Sequence, residues 1–239
     1  MEDFSGIVNW ENVFKESESF KNQKPFRFGF IREFFHREFY EKLYEGYPDL
    51  STFQDGSDLS RSQFSKIWGG FGQHDIVENI DDPNFNEYWN KFQRYTCTKE
   101  FIENFRKFSG IPVNKRKLFH FVSYTKGGFQ LPHVHNVGPS TLVMFSFFSK
   151  GWKKGDPGGT YMAKDIDESS ILFEPDNLDN TMALFHDSEY SIHGVRYMTK
   201  DVERRANCIT LEEYSNEKGW SGGNPKKILE TRKDDLIEL

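Results

Sequence analysis

Cysteine is scarce in this chain, which has only Cys97 and Cys208 among its 239 residues. Two cysteines fit neither a disulfide framework nor a cysteine-based zinc site, so protein classes built on either are excluded. No window approaches the run of about 18 uncharged apolar residues that a membrane span needs. The first residues are acidic and mixed, without the basic and apolar regions of a signal peptide. We therefore expect a soluble, cytoplasmic protein with no membrane partner.

An excess of positive charge is also missing. The chain has 31 lysine and arginine residues against 37 acidic ones, which gives a net charge of −6 and a pI of about 5.7. This balance argues against general binding to nucleic acid or to anionic membranes. The sequence also has no phosphate-binding glycine loop, serine-hydrolase elbow or nucleophilic-cysteine motif. Oligomeric state is not indicated by any of these features.

Aromatic residues are abundant instead, at 17% of the chain with 25 phenylalanines. The apolar residues Ile31, Phe35, Phe39 and Leu43 recur every four positions and predict one helix that ends near Gly46. The stretch 50–84 is rich in serine, aspartate and glycine, and we interpret it as a long loop with short elements.

A further helix is predicted for 98–108, with Thr98 as its N-cap and Gly110 at its end. Beyond 112 the pattern changes to short apolar runs spaced about ten residues apart, which is typical of a jelly roll. The runs are 118–124, 141–148, 159–163, 170–173, 182–185 and 204–211. We therefore predict an α+β fold and one domain over 1–239. In it, 1–112 form helical support and loops, 113–213 a double-stranded β-helix (jelly-roll) barrel, and 214–239 a tail.

Three histidines lie in two short motifs beside these strands, His133-Val-His135 and His193-Gly-Val195. Alternate residues of a strand point to the same face, so His133 and His135 can present their imidazoles together. His193 can join them if a later strand returns beside the first. Neutral imidazole is the commonest protein ligand for metals, so the pattern points to a three-histidine metal site. Spacing alone also fits a chance pair or hydrogen-bonded surface histidines.

The order of motifs from 98 to 211 resembles that of the Fe(II)- and 2-oxoglutarate-dependent oxygenases, in particular their prolyl-hydroxylase-like branch. No single motif is specific, whereas their order and spacing are. The motifs are Tyr124, Gly127-Gly128, His133-Val-His135, the run 141–148, Gly158-Gly159-Thr160, Pro175-Asp-Asn177, the run 182–185, His193-Gly-Val195 and Arg204-Arg-Ala206. The resemblance implies a jelly-roll oxidoreductase of the hydroxylase type, with iron as its metal and 2-oxoglutarate as cosubstrate.

The resemblance also implies roles for individual residues. His133 and His193 match the two histidine ligands of the iron, and Tyr124 matches a position whose hydroxyl often contacts the cosubstrate. Arg204 matches the base that binds the distal carboxylate of 2-oxoglutarate, since a planar guanidinium can hold a carboxylate through two hydrogen bonds. Arg205 is the alternative, because neighbouring strand residues face opposite ways.

His135 departs from the family pattern, which has aspartate or less often glutamate at that position. No acidic residue lies between Glu103 and Asp156, so a shift of register supplies no carboxylate nearby. Imidazole suits Fe(II), so His135 can complete a three-histidine iron site with an altered charge. The alternatives are a dioxygenase that uses no 2-oxoglutarate, or a non-catalytic metal-binding barrel. The expected partner is a small-molecule, sugar or peptidyl substrate.

Overall fold

The structure is a computed structural model, and it describes residues 2–70, 80–135 and 139–222. The end of the tail predicted for 214–239 lies outside these ranges. Within them the α-helices are Trp10–Lys15 (α1), Ser17–Asn22 (α2), Arg37–Glu45 (α3), Glu87–Thr96 (α4) and Lys99–Ser109 (α5). The strands are Phe28–Arg32 (β1), Gln54–Asp55 (β2), Arg61–Ser62 (β3), Phe64–Ile67 (β4), Lys115–Tyr124 (β5), Phe129–His133 (β6), Thr141–Lys153 (β7), Thr160–Ala163 (β8), Ile171–Phe173 (β9), Asn177–His186 (β10), His193–Val195 (β11), Arg204–Glu212 (β12), Tyr214–Ser215 (β13) and Gly219–Trp220 (β14).

Two antiparallel sheets form the predicted jelly roll. The larger has the strand order β1-β10-β7-β12-β5-β4-β2, and the smaller has the order β3-β6-β11-β8-β9. Most neighbours in these orders are distant in sequence, as the connections of a jelly roll require. The pair β13–β14 forms a separate hairpin after the last barrel strand. The α+β jelly-roll prediction is therefore confirmed.

The large sheet is covered on both faces, which explains the near-continuous apolar run of β7. Along β12, Ala206 and Cys208 pack inside the barrel with Phe147. Ile209 and Leu211 instead join the core between the sheet and the helices. Because successive side chains of a strand point to opposite faces, each residue of the central strands lies either in the barrel interior or on the helix-facing side.

Aromatic side chains fill the layer between the helices and the sheet. Trp89 of α4 is fully buried, packs edge-on against Phe121 of β5 at 4.7 Å, and donates its indole N–H to the Leu43 carbonyl oxygen at 3.0 Å. It therefore joins α4, α3 and the sheet in one contact. A buried indole whose N–H is satisfied combines a large apolar area with no unpaired polar group.

The helix predicted from the Ile31-to-Leu43 spacing is correct only in its second half. Ile31 lies in β1, and the helix begins at Arg37, burying Phe39 and Leu43. The spacing of four residues continues from the strand into the helix because both elements bury their apolar residues in the same core. The helix predicted for 98–108 is confirmed as α5, with the Thr98 hydroxyl accepting the Phe101 N–H and Gly110 at φ 67°.

The short elements expected within the long loop 50–84 include three strands, and residues 71–79 of this stretch lie outside the described ranges. Strands β2, β3 and β4 lie there, β4 pairs with β5, and β3 pairs with β6. These short segments lack strong apolar alternation because their residues are only half-buried or exposed. They extend both sheets, so the first 112 residues supply barrel edges as well as helical support. No helix in the described residues combines the length and apolarity needed to cross a membrane.

Asn180 connects β10 to the segment that enters α3. It is buried at a left-handed φ of 53°, beside an irregularity in the pairing of β10 with β7. Its side-chain oxygen accepts the Phe35 N–H at 3.0 Å, and its amide donates to the Phe35 carbonyl oxygen at 2.9 Å. Asparagine suits this position because it tolerates positive φ and offers both a donor and an acceptor.

We predict that Asn180→Ala lowers the free energy of unfolding by about 3 kcal/mol, because two buried hydrogen bonds are lost and alanine is strained at positive φ. Asn180→Gly, which removes the same bonds without the strain, is the matched control and should lose about 1 kcal/mol less. Urea unfolding followed by circular dichroism measures both. Equal stability of wild type and Asn180→Ala would contradict this account of Asn180.

Candidate metal centre

The structure brings the three predicted histidines together. His133 ends β6 and pairs directly with His193, the first residue of β11, while His135 follows two residues after β6. One ring nitrogen of each lies within 4.8 Å of the others. The ring centroids of His133 and His193 are 4.2 Å apart, and those of His135 and His193 are 4.7 Å apart. Three imidazoles at these separations match the donor set of a metal site.

Hydrogen bonds fix the orientation of all three rings through their Nδ1 atoms. His133 Nδ1 donates to the Leu131 carbonyl oxygen at 3.0 Å, and His193 Nδ1 donates to the Ser191 carbonyl oxygen at 2.8 Å. Acceptors at Nδ1 select the tautomer that carries its proton there, which leaves the lone pair on Nε2. Ligating histidines in proteins are held in this way by their second nitrogen.

The pKa values of two of these imidazoles favour the neutral form that binds metals. Burial lowers the pKa of His193 well below its ordinary value, and the neighbouring His135 and His133 lower it further. Burial also lowers the pKa of His133. A proton therefore competes weakly with a metal for either ring at neutral pH.

Asp187 is the residue that sequence reasoning missed. Its carboxylate is fully buried, with Oδ2 at 3.0 Å from His135 Nδ1 and Oδ1 accepting the Ser191 hydroxyl at 3.0 Å. Since the Ser191 carbonyl oxygen accepts from His193, one short segment orients two of the three imidazoles. The signal in the sequence is an aspartate two residues after the apolar run 182–185 and six before His193, although it is 52 residues from His135.

Gln130 and Tyr124 complete the polar surroundings of His133. Gln130 Nε2 lies 3.2 Å from His133 Nε2, and Gln130 Oε1 lies 3.0 Å from the Tyr124 hydroxyl. A metal held by His133 Nε2 would compete with this amide for the same lone pair. Burial raises the pKa of Tyr124 to about 12, so its hydroxyl keeps its proton as a donor.

These groups line a cavity of about 620 Å³ inside the barrel, a volume in the range of small-molecule sites. The cavity is bounded by both sheets and reaches the segment 56–67 on one side. Its lining near the histidines consists of Tyr124, Gln130, Asp187, His120 and Phe145. The three-histidine group therefore opens onto a space large enough for small organic molecules.

Arg204 is the first residue of β12, and its side chain lies inside the barrel. Its guanidinium packs between the rings of Tyr124 and Phe147, with its carbon 4.9 Å and 5.0 Å from their centroids. One nitrogen donates to the Thr160 hydroxyl, while Nε has no hydrogen-bond partner among the described residues. Burial lowers the pKa of Arg204. The neighbouring groups that raise this pKa are tyrosines, not carboxylates. A buried arginine stays protonated, so this one fits an anion supplied from outside the chain.

Arg205 occupies the opposite face of the same strand. It pairs with Glu203 at 2.8 Å, and its guanidinium lies 5.2 Å from the centre of the Tyr47 ring in the layer beneath the helices. Of the two arginines considered from the sequence, Arg204 is therefore the one directed into the barrel. Tyr124, which lines the cavity, packs directly against it.

Comparison with known proteins identifies solved structures that share this fold. No protein-family model matches the sequence. No curated protein matches it either. Among solved structures, a prolyl-4-hydroxylase from Pseudomonas putida aligns with a TM-score of 0.60 at 11% identity, over 86% of this chain and 100% of that one.

Two further structures align at similar levels. A prolyl hydroxylase from Trichoplax adhaerens, in complex with a hypoxia inducible factor peptide fragment, has a TM-score of 0.61 at 13% identity, over 84% and 88% of the two chains. HygX from Streptomyces hygroscopicus, with nickel and 2-oxoglutarate bound, has a TM-score of 0.53 at 10% identity, over 84% and 85%. At such identities these matches establish a shared fold, and the roles of individual residues need their own argument.

We predict that Asp187→Asn weakens Fe(II) binding about 10- to 100-fold, because His135 loses the anionic acceptor that orients its ring. Competition with a chromophoric chelator under anaerobic conditions measures the affinity. The matched control is Asp176→Asn, which removes an exposed surface carboxylate paired with Arg32. Unchanged affinity in Asp187→Asn would show that the carboxylate has no part in metal binding.

Proposed function

We propose that this protein is a non-haem Fe(II)- and 2-oxoglutarate-dependent oxygenase of the hydroxylase type, with an atypical three-histidine iron site. The observation that carries the proposal is the combination, inside one jelly roll, of three converging imidazoles with a buried arginine that has no acidic partner among the described residues. Metal and cosubstrate each have residues suited to them.

The donor set fits Fe(II). His133, His135 and His193 offer neutral nitrogen ligands, which suit iron among the first-row metals. The family's usual site adds a carboxylate ligand, and here the nearest carboxylate is Asp187, one imidazole away from the metal position. Its negative charge offsets part of the metal charge through His135, so the site keeps a carboxylate nearby although none ligates.

Arg204 fits the distal carboxylate of 2-oxoglutarate. It needs an anion, since a buried guanidinium without one carries a large desolvation cost. Thr160, to which it donates, pairs in register with Val195, two residues from His193 on β11. The guanidinium and the histidines therefore lie on adjacent parts of the barrel wall. When bound, iron and 2-oxoglutarate supply the oxidising chemistry that inserts one atom of O2 into a C–H bond and the other into succinate, with release of CO2.

Apolar rings border the histidines on one side of the cavity. Phe185 packs on His193 with ring centroids 4.4 Å apart, and Phe145 stacks beside Phe185 at 6.4 Å. Apolar rings against the histidines lower the local dielectric and limit solvent access. The Tyr124 hydroxyl, which contacts the side-chain oxygens of Gln63 and Gln130, could instead donate its hydrogen bond to a carboxylate held at Arg204.

One observation favours a second candidate, a three-histidine dioxygenase that uses no 2-oxoglutarate. The converging group has three nitrogen donors and no carboxylate, which is the feature that departs from the family pattern. In that case Arg204 would bind an anionic group of the substrate itself. Oxygen uptake with a candidate substrate and without any 2-oxo acid would identify this activity. A protein that binds iron but consumes no oxygen would be a non-catalytic barrel.

We predict that anaerobic addition of Fe(II) and 2-oxoglutarate to the protein produces a weak visible charge-transfer band. Arg204→Met should weaken 2-oxoglutarate binding at least about 100-fold, because a buried charge-assisted pair is lost. Titration of the band with 2-oxoglutarate gives the affinity. Arg205→Met is the control, as this residue lies on the opposite face. Equal loss in both variants, or no band in the wild type, would count against the proposal.

We further predict that His135→Asp alone binds iron poorly, because it places a second carboxylate beside the buried Asp187. The double variant His135→Asp/Asp187→Asn removes this like-charge repulsion and should bind Fe(II) at least about tenfold more tightly than the single variant. Decarboxylation of 2-oxoglutarate, followed as succinate, should be altered in the double variant and already present in wild type. Activity that appears only in the double variant would mark the native protein as a non-catalytic barrel.

A further inference from the structure

A row of buried polar side chains crosses the large sheet at the end of the cavity opposite Arg204. Glu212 of β12 is paired in register with Thr141 of β7, and Lys117 of β5 binds Glu212 with its Nζ 2.7 Å from Oε2. Asp187 continues the row, because its N–H donates to the Thr141 carbonyl oxygen. All four line the cavity, and the side chains of Lys117 and Glu212 are only 8% and 0% exposed.

Part of the hydrogen-bonding capacity of this row is unused. The Thr141 hydroxyl is buried and has no hydrogen-bond partner among the described residues. Lys117 has three N–H donors, of which Glu212 accepts one. Glu212 also accepts the Gly222 N–H at 2.7 Å and the Ser221 hydroxyl at 3.3 Å, so its carboxylate is held in place. Buried polar groups without partners are costly, and a ligand that satisfies them recovers that cost.

His120 extends the polar surface toward the middle of the barrel. It lines the cavity on β5, opposite Cys208 of β12, and its Nδ1 has no partner among the described residues. Burial lowers its pKa to about 4, so the ring is neutral and offers one donor and one acceptor. The surface formed by Thr141, Lys117, Glu212 and His120 is hereafter the polar wall.

The polar wall is distinct from the proposed cosubstrate position. Glu212 and Arg204 stand at opposite ends of β12, eight residues apart, which corresponds to about 26 Å of extended strand. Val122, Ala206 and Phe147 separate the wall from Arg204 with an apolar band. A cosubstrate held at Arg204 therefore leaves the polar wall available to a second molecule.

We propose, on the basis of the proposed function, that the oxidised substrate is a neutral, hydroxyl-rich small molecule of the sugar or cyclitol class, bound through its hydroxyls to the polar wall. Lys117 and Glu212 neutralise each other, so the polar wall offers no free counter-ion, and a charged ligand would give up its hydration there without gaining an ion pair. A hydroxyl group can donate and accept at once, which suits a paired lysine and glutamate beside an unused threonine hydroxyl. These groups line the cavity of about 620 Å³, a volume in the range of small-molecule sites.

The test uses a panel in which glucose has two charged counterparts, together with a second neutral polyol and a peptide. Glucose and myo-inositol are the neutral members, glucuronic acid adds a carboxylate, glucosamine adds an amine, and a blocked prolyl-glycine peptide represents a peptidyl substrate. Calorimetry, with and without Zn(II) in the metal site, measures binding without catalysis. We expect a neutral member to bind with a Kd of about 1 mM or below and to outcompete its charged counterparts.

Two variants of one strand then test the wall itself. Thr141→Val should raise the Kd, and the KM for the same compound, about tenfold, with kcat changed less than about twofold. Ser146→Ala is the control, because the Ser146 hydroxyl is also buried without a partner in the described residues but lies on the helix-facing side of β7. It should leave both constants unchanged. The band formed with 2-oxoglutarate should be the same in both variants.

The possible failures are distinguishable. If the charge-transfer band and succinate release are absent but a neutral polyol binds in a Thr141-dependent way, the substrate class stands and the proposed oxygenase activity falls. If the band forms and only the peptide or a charged sugar binds, the oxygenase stands and the substrate class is overturned. Equal effects of Thr141→Val and Ser146→Ala would also overturn it, since the loss would then reflect stability.

Discussion

The pairing of His133 with His193 across β6 and β11 is the constraint on which the candidate site depends. These residues are 60 positions apart, and only the closing of the small sheet brings their rings within 4.2 Å. Gly194, the next residue of β11, shows how tightly this strand is held. A Cβ there would lie 2.8 Å from the Gln130 carbonyl oxygen and would overlap the Tyr161 hydroxyl. Only glycine permits the approach that sets the third imidazole against the first two.

Because successive side chains of β12 point to opposite faces of the sheet, two adjacent arginines lie in different surroundings. Arg204 faces the barrel interior, where it meets aromatic rings and a threonine hydroxyl, and Arg205 faces the helices, where Glu203 neutralises it. The same strand ends in Glu212, which is buried but paired with Lys117. Among the described residues, one strand thus carries a cation without an acidic partner at one end and a neutralised ion pair at the other. In the proposed function, this polarity along β12 separates the position of the cosubstrate from that of the substrate.

The sequence predicted the features that depend on local pattern. The helix 98–108 followed from its cap, its apolar face and its terminal glycine, and the three histidines followed from their motifs and from the order of motifs around them. Lys117 could not be found in this way, because its importance comes from strand register, which no local pattern encodes. The position of Asp187 before His193 is visible in the sequence, but no local pattern pairs it with His135, 52 residues away. The short elements of 54–67 could not be assigned as strands, because edge strands with half-buried residues lack a clear period of two. The division into one domain with boundaries at 112 and 213 remains a prediction.

The small sheet closes around the metal position through a strand of only three residues, His193–Val195. So short a strand contributes few backbone hydrogen bonds, and a cation held by His193 together with His133 and His135 would tie it to the end of β6. A ligand that binds only the folded chain stabilises it by mass action. If the site holds iron as proposed, the supply of that metal would therefore also set how well the folded chain resists proteolysis.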